Sequence, residues 1–555
     1  MPVLKFQLDY LLNRIGVHDA ELLRDILFRL KCETDILEDG QIEVEVNPDR
    51  PDMYSVEGIR RAVLGLLGRE KGWRTPRLSG TGLNLSAEKV ETRPYILAAV
   101  VYNVNIEDEE DLKYIIQFQE KLHDTIGRRR RKIAIGFHDL EKLPGKRIEY
   151  KYLPVASTEF IPLGGDTPSS AAEILEETEQ GVKYGRISLG EEGKHPFLLA
   201  DGEVIAMPPV INSNITRVEV GTRHLFIDVT GTDLSTVSKV LDIIVSNLAE
   251  RPDASVGTLY VDTPYYRGLS PRLETRKMTL SAEYASKALG YYTTPQTLAH
   301  LLETMRYKID SILPHGVRVI VPPYRADIIG EIDLVEDVAI AIGYDALYPR
   351  YRVIPTRGSY LTSTEIARSV RILMVGLGFT EVLQLVLTSP TLLTLMGLDY
   401  VRVENPVQQE YSVLRPSLVP GLLSVLRENQ HVSKPVKVFE IGDTITPVDG
   451  TISENMKLAA AVMDVEVSME LIQAPIYTLL RILDIPFEVE TVCPAPYAIK
   501  GRCGSLKTPD GSDLGFFGEI HPSVLERLGI EYPVAFAELN LEAISSWKSR
   551  TRNLE

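Results

Sequence analysis

Between residues 22 and 30 the apolar side chains of Leu22, Leu23, Ile26, Leu27 and Leu30 recur at the spacing of one helical face. Ile42, Val44 and Val46 then alternate with polar neighbours, as a half-buried strand requires. In NPDRPDMYSVEGIRRAVLGLLG, Pro48 and Pro51 predict a rigid turn, Ser55 a helix cap, and Ile59, Val63, Leu66 and Leu67 the buried stripe of the helix that follows. From 86 to 265 short alternating runs dominate: YILAAVVYNV, RKIAIGF, RISLG, HLFIDVTG and ASVGTLYVD. Two helical patterns, DLKYIIQFQEKLHDTI and STVSKVLDIIVSNLAE, interrupt them, which predicts an α+β domain. From 266 to 350, Ser281 and Gly290 bracket one helix, and Thr294 with Pro295 opens a second whose stripe is Leu298, Leu301, Leu302 and Met305. Val317, Val319 and Val321 form a strand leading to a third helix. From 356 to 555 a helix carrying Ile366, Val370, Leu373 and Leu377 precedes the strand-like runs FTEVLQLVLT, VRVENP, VKVFEIGD, KLAAAVMD, FEVETVC and VAFAELNL. A hairpin turn falls at Asp510-Gly511, so this part reads as a largely antiparallel sheet backed by helices.

The bulk numbers fit a multidomain protein. A chain of 555 residues, 44% hydrophobic and 25% charged, exceeds one core and predicts about four domains. No run approaches the roughly 18 apolar residues of a spanning helix, and Asp9 and Asn13 interrupt the first apolar segment, so a cytoplasmic protein is expected. Cys32, Cys493 and Cys503 form no C-x-x-C pair, and reduced thiols are expected. Sixty basic against 77 acidic residues leave a net charge of -17, so any contact with a polyanion must rest on a local patch or a partner. One such patch is Arg128, Arg129, Arg130, Arg131 and Lys132. It runs directly into the strand pattern of Ile133, Ile135 and Phe137, which places these charges on an ordered scaffold.

Several chemistries find no motif. There is no G-x-x-x-x-G-K-[ST] phosphate loop, no G-x-S-x-G elbow and no H-E-x-x-H, and the nine histidines show no metal-ligand spacing. The segment YRADIIGEIDLVEDVAIAIGYD is more pointed. Taken as a helix from Glu331, it gathers Val335, Val338, Ala339 and Ile342 on one side and Asp333, Glu336 and Asp337 on the other, with Asp327 just upstream. Acids near a helix start complement its dipole, but three on one face repel one another and ask for a cation, either an Arg or Lys from a partner or a hard divalent ion. Mg²⁺ ordinarily takes only one or two carboxylates, so some of the four would act through water.

NPDRPDMYSVEGIRRAVLG, GRRRRKIAIGFHDL, the acidic segment, LRPSLVPGLL, VFEIGD and GFFGEIHPSVLERLGI occur in the order of one family. The chain resembles the β subunit of phenylalanyl-tRNA synthetase of the archaeal and eukaryotic type, a class II synthetase. The resemblance departs from the bacterial form, so that form's inserted domain near residue 40 and its extension past Glu555 are not expected. The resemblance implies an N-terminal α+β domain (1–85), a tRNA-editing domain (86–265), a B5-like helical module (266–350) and an inactive class II catalytic-like module (356–555). It implies a cytoplasmic α2β2 assembly with an α subunit that uses ATP to attach phenylalanine to its tRNA, while this chain hydrolyses mischarged Tyr-tRNA. It also implies Mg²⁺ at Asp327, Asp333, Glu336 and Asp337, and an editing pocket for which Pro209, Asn212, Ser213, Asp228 and Thr230 are the expected lining. Residues Arg128 to Lys132 are the expected tRNA contacts. Neither an f-R-x-E arginine nor a G-x-G-x-x-R-like element appears between 356 and 555, which agrees with an adenylation site on the partner. A nucleic-acid-binding scaffold without catalysis and a free-standing aminoacyl-tRNA deacylase are the competing readings.

Overall fold

The computed structural model describes residues 1–348 and 354–552; the expected boundary at 350 lies outside the described residues. The chain forms two compact units, 1–352 and 353–555.

Among the described residues the first unit holds three larger sheets and the two-stranded pair of Glu159–Phe160 with Ser169–Ser170. Val3–Gln7, Gln41–Glu45 and Glu33–Ile36 form an antiparallel sheet at the N-terminus, with Gln41–Glu45 in the middle. Its alternation leaves Ile42 and Val44 buried, as their spacing predicts. Ser55 caps the helix Val56–Leu66 by accepting from the Gly58 amide at 3.1 Å. A ten-stranded mixed sheet follows, from Leu78–Ala87 to Arg267–Ser270. Its path starts at Ile211–Asn212 and ends with Tyr95–Tyr102, Leu225–Gly231 and Ile133–Asp139, side by side and antiparallel. The helices Glu109–Asp124 and Leu234–Leu248 match the two helical patterns, each capped by an aspartate, Asp108 and Asp233. RISLG, expected as a strand, instead continues the helix Glu179–Tyr184 as a 3-10 turn over Gly185–Ile187.

The third sheet is antiparallel: Arg276–Ser281, Gly316–Val321 and Lys308–Leu313, with Gly316–Val321 central. The sequence pattern announces only that central strand, because the edge strand Lys308–Leu313 buries little and carries a weak pattern. Ser281 and Thr294 cap Ala282–Leu289 and Pro295–Thr304 as expected. The helix Glu331–Ile342 carries the acidic segment.

In the second unit seven strands form a sheet whose two faces feed separate cores. On Thr451–Met463, Leu458, Ala460 and Val462 face one core, while Ala459, Ala461 and Met463 face the other. Helices Thr362–Gly376 and Glu470–Ile482 cover the first, and Val419–Glu428 and Pro522–Leu528 the second. Gly511, at φ 84°, turns the hairpin between Ala498–Lys507 and Asp513–Ile520. Two expectations fail here. FTEVLQLVLT forms only the short pieces Thr380–Glu381 and Leu387–Thr388, because the chain does not bury its alternate apolar side chains: Leu383 is 84% and Leu385 68% exposed. Cys493 and Cys503, expected as reduced thiols, are joined in a disulfide, whereas Cys32 is free and buried.

Candidate active site

A cavity of about 570 Å³ in the first unit lies where the two ends of the ten-stranded sheet approach each other. The Asn212 side-chain amide, on one terminal strand, donates to the Phe137 carbonyl on the other at 3.1 Å. The helix Glu109–Asp124 supplies an apolar wall through Leu112, Ile115 and Ile116, with Gln119 and Glu120 at its polar end. The turn 208–210, which contains the cis Pro208–Pro209 bond, supplies the opposite wall.

Asp228 lies on this cavity and is 1% exposed. Strand register puts it opposite Gly136, and a Cβ at Gly136 would stand 2.1 Å from Asp228 Oδ1, so glycine is what lets the carboxylate lie flat against the strand. Oδ1 meets His138 Nε2 at 3.0 Å, and His138 Nδ1 meets the Thr216 hydroxyl at 2.7 Å. Oδ2 has no hydrogen-bond partner among the described residues. Pro209, Asn212 and Ser213, expected as lining from the sequence, also border the cavity. The Ser213 hydroxyl is committed to the Ile161 carbonyl at 3.1 Å, which leaves it a structural rather than a free donor. Thr230 is the exception: it is fully buried and does not border the cavity, because its hydroxyl accepts from Arg93 Nε at 2.9 Å. Burial of Arg93 lowers its pKa to about 10.

The arginine run has a specific local form. Arg128, Arg129 and Arg130 take φ values of 49°, 55° and 63°, three successive left-handed residues that each cost roughly 1–2 kcal/mol. Backbone strain of this kind concentrates at functional sites. The turn withdraws Arg130 from solvent: it donates to the Pro209 and Val210 carbonyls at 3.1 Å each and to Glu120 at 2.7 Å, and its guanidinium stacks 4.4 Å from the Tyr184 ring. Arg130 therefore braces the cavity wall. Arg128, Arg129 and Arg131 stay exposed with no side-chain partner among the described residues, and Lys132 lies 3.7 Å from Asp233. Glu120 is held ionised: burial pushes its pKa up, but the hydrogen bond from His123 and the charge of Arg130 prevail and bring it to about 2.

Sequence reasoning missed His138, Thr216 and Glu120. His138 was one histidine among nine. Its signal was the alternation of Ala134, Gly136 and His138 on one strand face, but only the register shows that this face is shared with Asp228.

The acidic segment departs from its expected form. Asp327 accepts Arg325 Nε at 2.9 Å and Nη2 at 2.6 Å, and Asp337 accepts Arg325 Nη1 at 2.7 Å and the Tyr307 hydroxyl. Asp333 closes its own helix start by accepting from the Gly330 and Ile329 amides at 2.8 and 2.6 Å. Glu336 pairs with Lys31 at 3.0 Å. Asp337 is 3% exposed, so the acids do not share one outward face. No group of three or more acids, histidines or cysteines is placed to hold a metal among the described residues. The four carboxylates thus do not fit a magnesium site on this chain; the cation that their concentration requires is supplied by Arg325 and Lys31.

Comparisons with known proteins bear on the whole chain. Residues 278–344 match the family described as tRNA synthetase B5 domain, and residues 349–541 match the one described as phenylalanyl tRNA synthetase beta chain CLM domain. The phenylalanine–tRNA ligase beta subunit of Aeropyrum pernix is 52% identical over 557 residues, covering 99% of this chain and 100% of that protein. That of Saccharolobus solfataricus is 42% identical over 542 residues, covering 96% and 97%. An N-terminal fragment of the phenylalanyl-tRNA synthetase beta subunit from Pyrococcus horikoshii superposes with a TM-score of 0.59 at 32% identity, over 62% of this chain and 100% of the fragment. With relatives this similar over nearly their entire lengths, the chain belongs to the family of phenylalanine–tRNA ligase beta subunits.

Proposed function

We propose that this β subunit assembles with an α subunit, as α2β2, which uses ATP to attach phenylalanine to its tRNA, and that the cavity beside Asp228 hydrolyses tyrosine misattached to that tRNA. An adenylation pocket selects against the tyrosine hydroxyl only incompletely when it is built around an apolar ring, so a second, hydrolytic site raises fidelity. The observation that carries the reading is the Asp228 carboxylate on a partly apolar cavity of about 570 Å³, with one oxygen fixed by His138 and the other without a partner. Such a cavity suits an aminoacyl side chain, and the open oxygen suits an oriented water beside an ester carbonyl. Arg128, Arg129, Arg131 and Lys132 would meet the RNA backbone on its way in.

The second unit supports a division of labour. Arg415 is engaged by Glu440 at 2.6 Å and by the Asp443 carbonyl at 3.0 Å, which removes it as a phosphate clamp. Ile372, Val375, Leu383 and Leu385 are exposed apolar side chains of the kind a partner's interface covers. No helix among the described residues is long and apolar enough to cross a membrane.

Deacylation of purified Tyr-tRNA by the reconstituted assembly tests the reading. Asp228→Ala should lower the rate roughly 100-fold or more, as loss of a group acting on the reacting water does. Thr230→Ala should act more weakly, through Arg93. An unchanged rate in Asp228→Ala would remove the carboxylate from the site.

A further inference from the structure

Thr216 and Asp228 border the same cavity, and His138 joins them from beneath without bordering it. All three are nearly inaccessible: Thr216 and Asp228 are 1% exposed and His138 is 0% exposed. In the tautomer with its proton on Nε2, His138 donates to the Asp228 carboxylate at 3.0 Å and its Nδ1 accepts the Thr216 hydroxyl proton at 2.7 Å. That tautomer sets the imidazole with an acceptor toward Thr216 and a donor toward the buried carboxylate. Thr216 sits at the end of the 3-10 turn Asn214–Thr216, whose start is capped by Ser213, so its position is held by backbone structure. Thr216 keeps its oxygen lone pairs for the cavity.

We propose that Thr216, His138 and Asp228 form a proton relay that activates the hydrolytic water, with Thr216 and Asp228 touching the water as catalytic residues and His138 as the positioning residue that links them. The relay rests on the reading of the cavity as an aminoacyl-ester hydrolase site. A water gives a proton to Thr216 Oγ1 as the Thr216 hydroxyl proton passes to His138 Nδ1. The water oxygen bonds to the ester carbonyl carbon, and the tetrahedral centre collapses with cleavage of the bond between that carbon and the ribose oxygen. The proton held on His138 returns through Thr216 to the departing ribose oxygen, which leaves the free amino acid and an uncharged tRNA end. The buried Asp228 carboxylate stabilises the imidazolium while it exists. The Oδ2 atom of Asp228, without a partner, orients the same water.

Thr216→Val, Thr216→Ser and His138→Gln in the full-length chain, assembled with its α partner, test the relay on preformed Tyr-tRNA. Thr216→Val keeps the shape and removes the hydroxyl. It should lower kcat about 100-fold or more with KM changed less than about threefold, and His138→Gln should do the same. Thr216→Ser restores a hydroxyl and should stay within about tenfold of the parent. Melting midpoints of the three variants show whether each is folded. A Thr216→Val chain that keeps the parent's kcat, or a Thr216→Ser chain as impaired as Thr216→Val, would overturn the relay. If Asp228→Ala is inactive while Thr216→Val is not, the hydrolase reading stands and the relay falls. If the parent itself leaves Tyr-tRNA intact, both fall.

Discussion

Arg325 is the residue on which the acidic segment depends. Its guanidinium is 3% exposed and spans two carboxylates, with Asp327 at 2.6 and 2.9 Å and Asp337 at 2.7 Å. Burial opposes its charge, yet the two carboxylates prevail and hold its pKa far above the usual arginine value. Arg325→Met keeps the stem and removes the charge, leaving one carboxylate fully buried and a second largely so without their cation. Breaking a buried pair from one side costs about 3–5 kcal/mol. With an unfolding entropy of about 2.1 cal/mol/K per residue, and the first unit of 352 residues melting as one body, that loss lowers Tm by about 4–7 °C. Calorimetry of the full-length chain in millimolar MgCl2 and again in EDTA is the assay. The variant should lose the same amount in both buffers, and the parent should melt at one temperature in both. A metal held by these acids would instead stabilise the parent in proportion to the logarithm of its concentration. A fall in the parent's Tm on chelation comparable to the Arg325→Met loss, or a neutral Arg325→Met, would refute the reasoning.

Cys503→Ser removes a cross-link between residues ten apart and should cost the second unit about 3 kcal/mol; a denaturation curve that ignores the change would contradict the pairing. Asp242 is pushed up to about 7, chiefly by burial and then by Glu274, against the hydrogen bond from the Leu273 amide. The native state therefore holds its proton above the unfolded value of 3.8, and stability falls as pH rises from about 4 to about 7. Asp242→Asn should gain stability at pH 8, with an upper bound on the order of 4 kcal/mol, and gain nothing at pH 4; a gain independent of pH would exclude this cause. Replacing Arg128, Arg129 and Arg131 together by Ala should weaken tRNA binding and flatten its log-log salt slope by about 0.7 for each phosphate no longer neutralised, read by filter binding across a salt series. An unchanged slope would place these arginines away from the RNA.

Much of the fold was legible because local signals and burial agreed. Ser55, Ser281 and Thr294 cap the helices that their spacing announced, and the strands carrying Ile42 and Val317 bury the side chains that alternate. Where the pattern and burial part, the reading failed. FTEVLQLVLT has a strand's alternation, but Leu383 and Leu385 remain on the surface. Pro209, Asn212, Ser213 and Asp228 were expected only through the family resemblance, and the structure lines one cavity with them. His138 and Thr216 join Asp228 from positions 90 and 12 residues away, which only sheet register and a turn bring together. The acids illustrate the same limit. Their mutual repulsion correctly called for a cation, but a helical wheel cannot show that Arg325, two residues before Asp327, folds back to serve as one, nor that Lys31 arrives from 305 residues away.

The most direct test of the hydrolase reading is the rate at which the assembly, made with the full-length chain, deacylates Tyr-tRNA and Phe-tRNA for the same tRNA. A site that reads the tyrosine hydroxyl by hydrogen bonding should hydrolyse Tyr-tRNA at least about 100-fold faster, because phenylalanine leaves its polar groups unpaired. Asp228→Ala should bring both rates to the spontaneous value. Equal rates for the two esters in the parent, or a Tyr-tRNA rate no faster than without protein, would contradict the account.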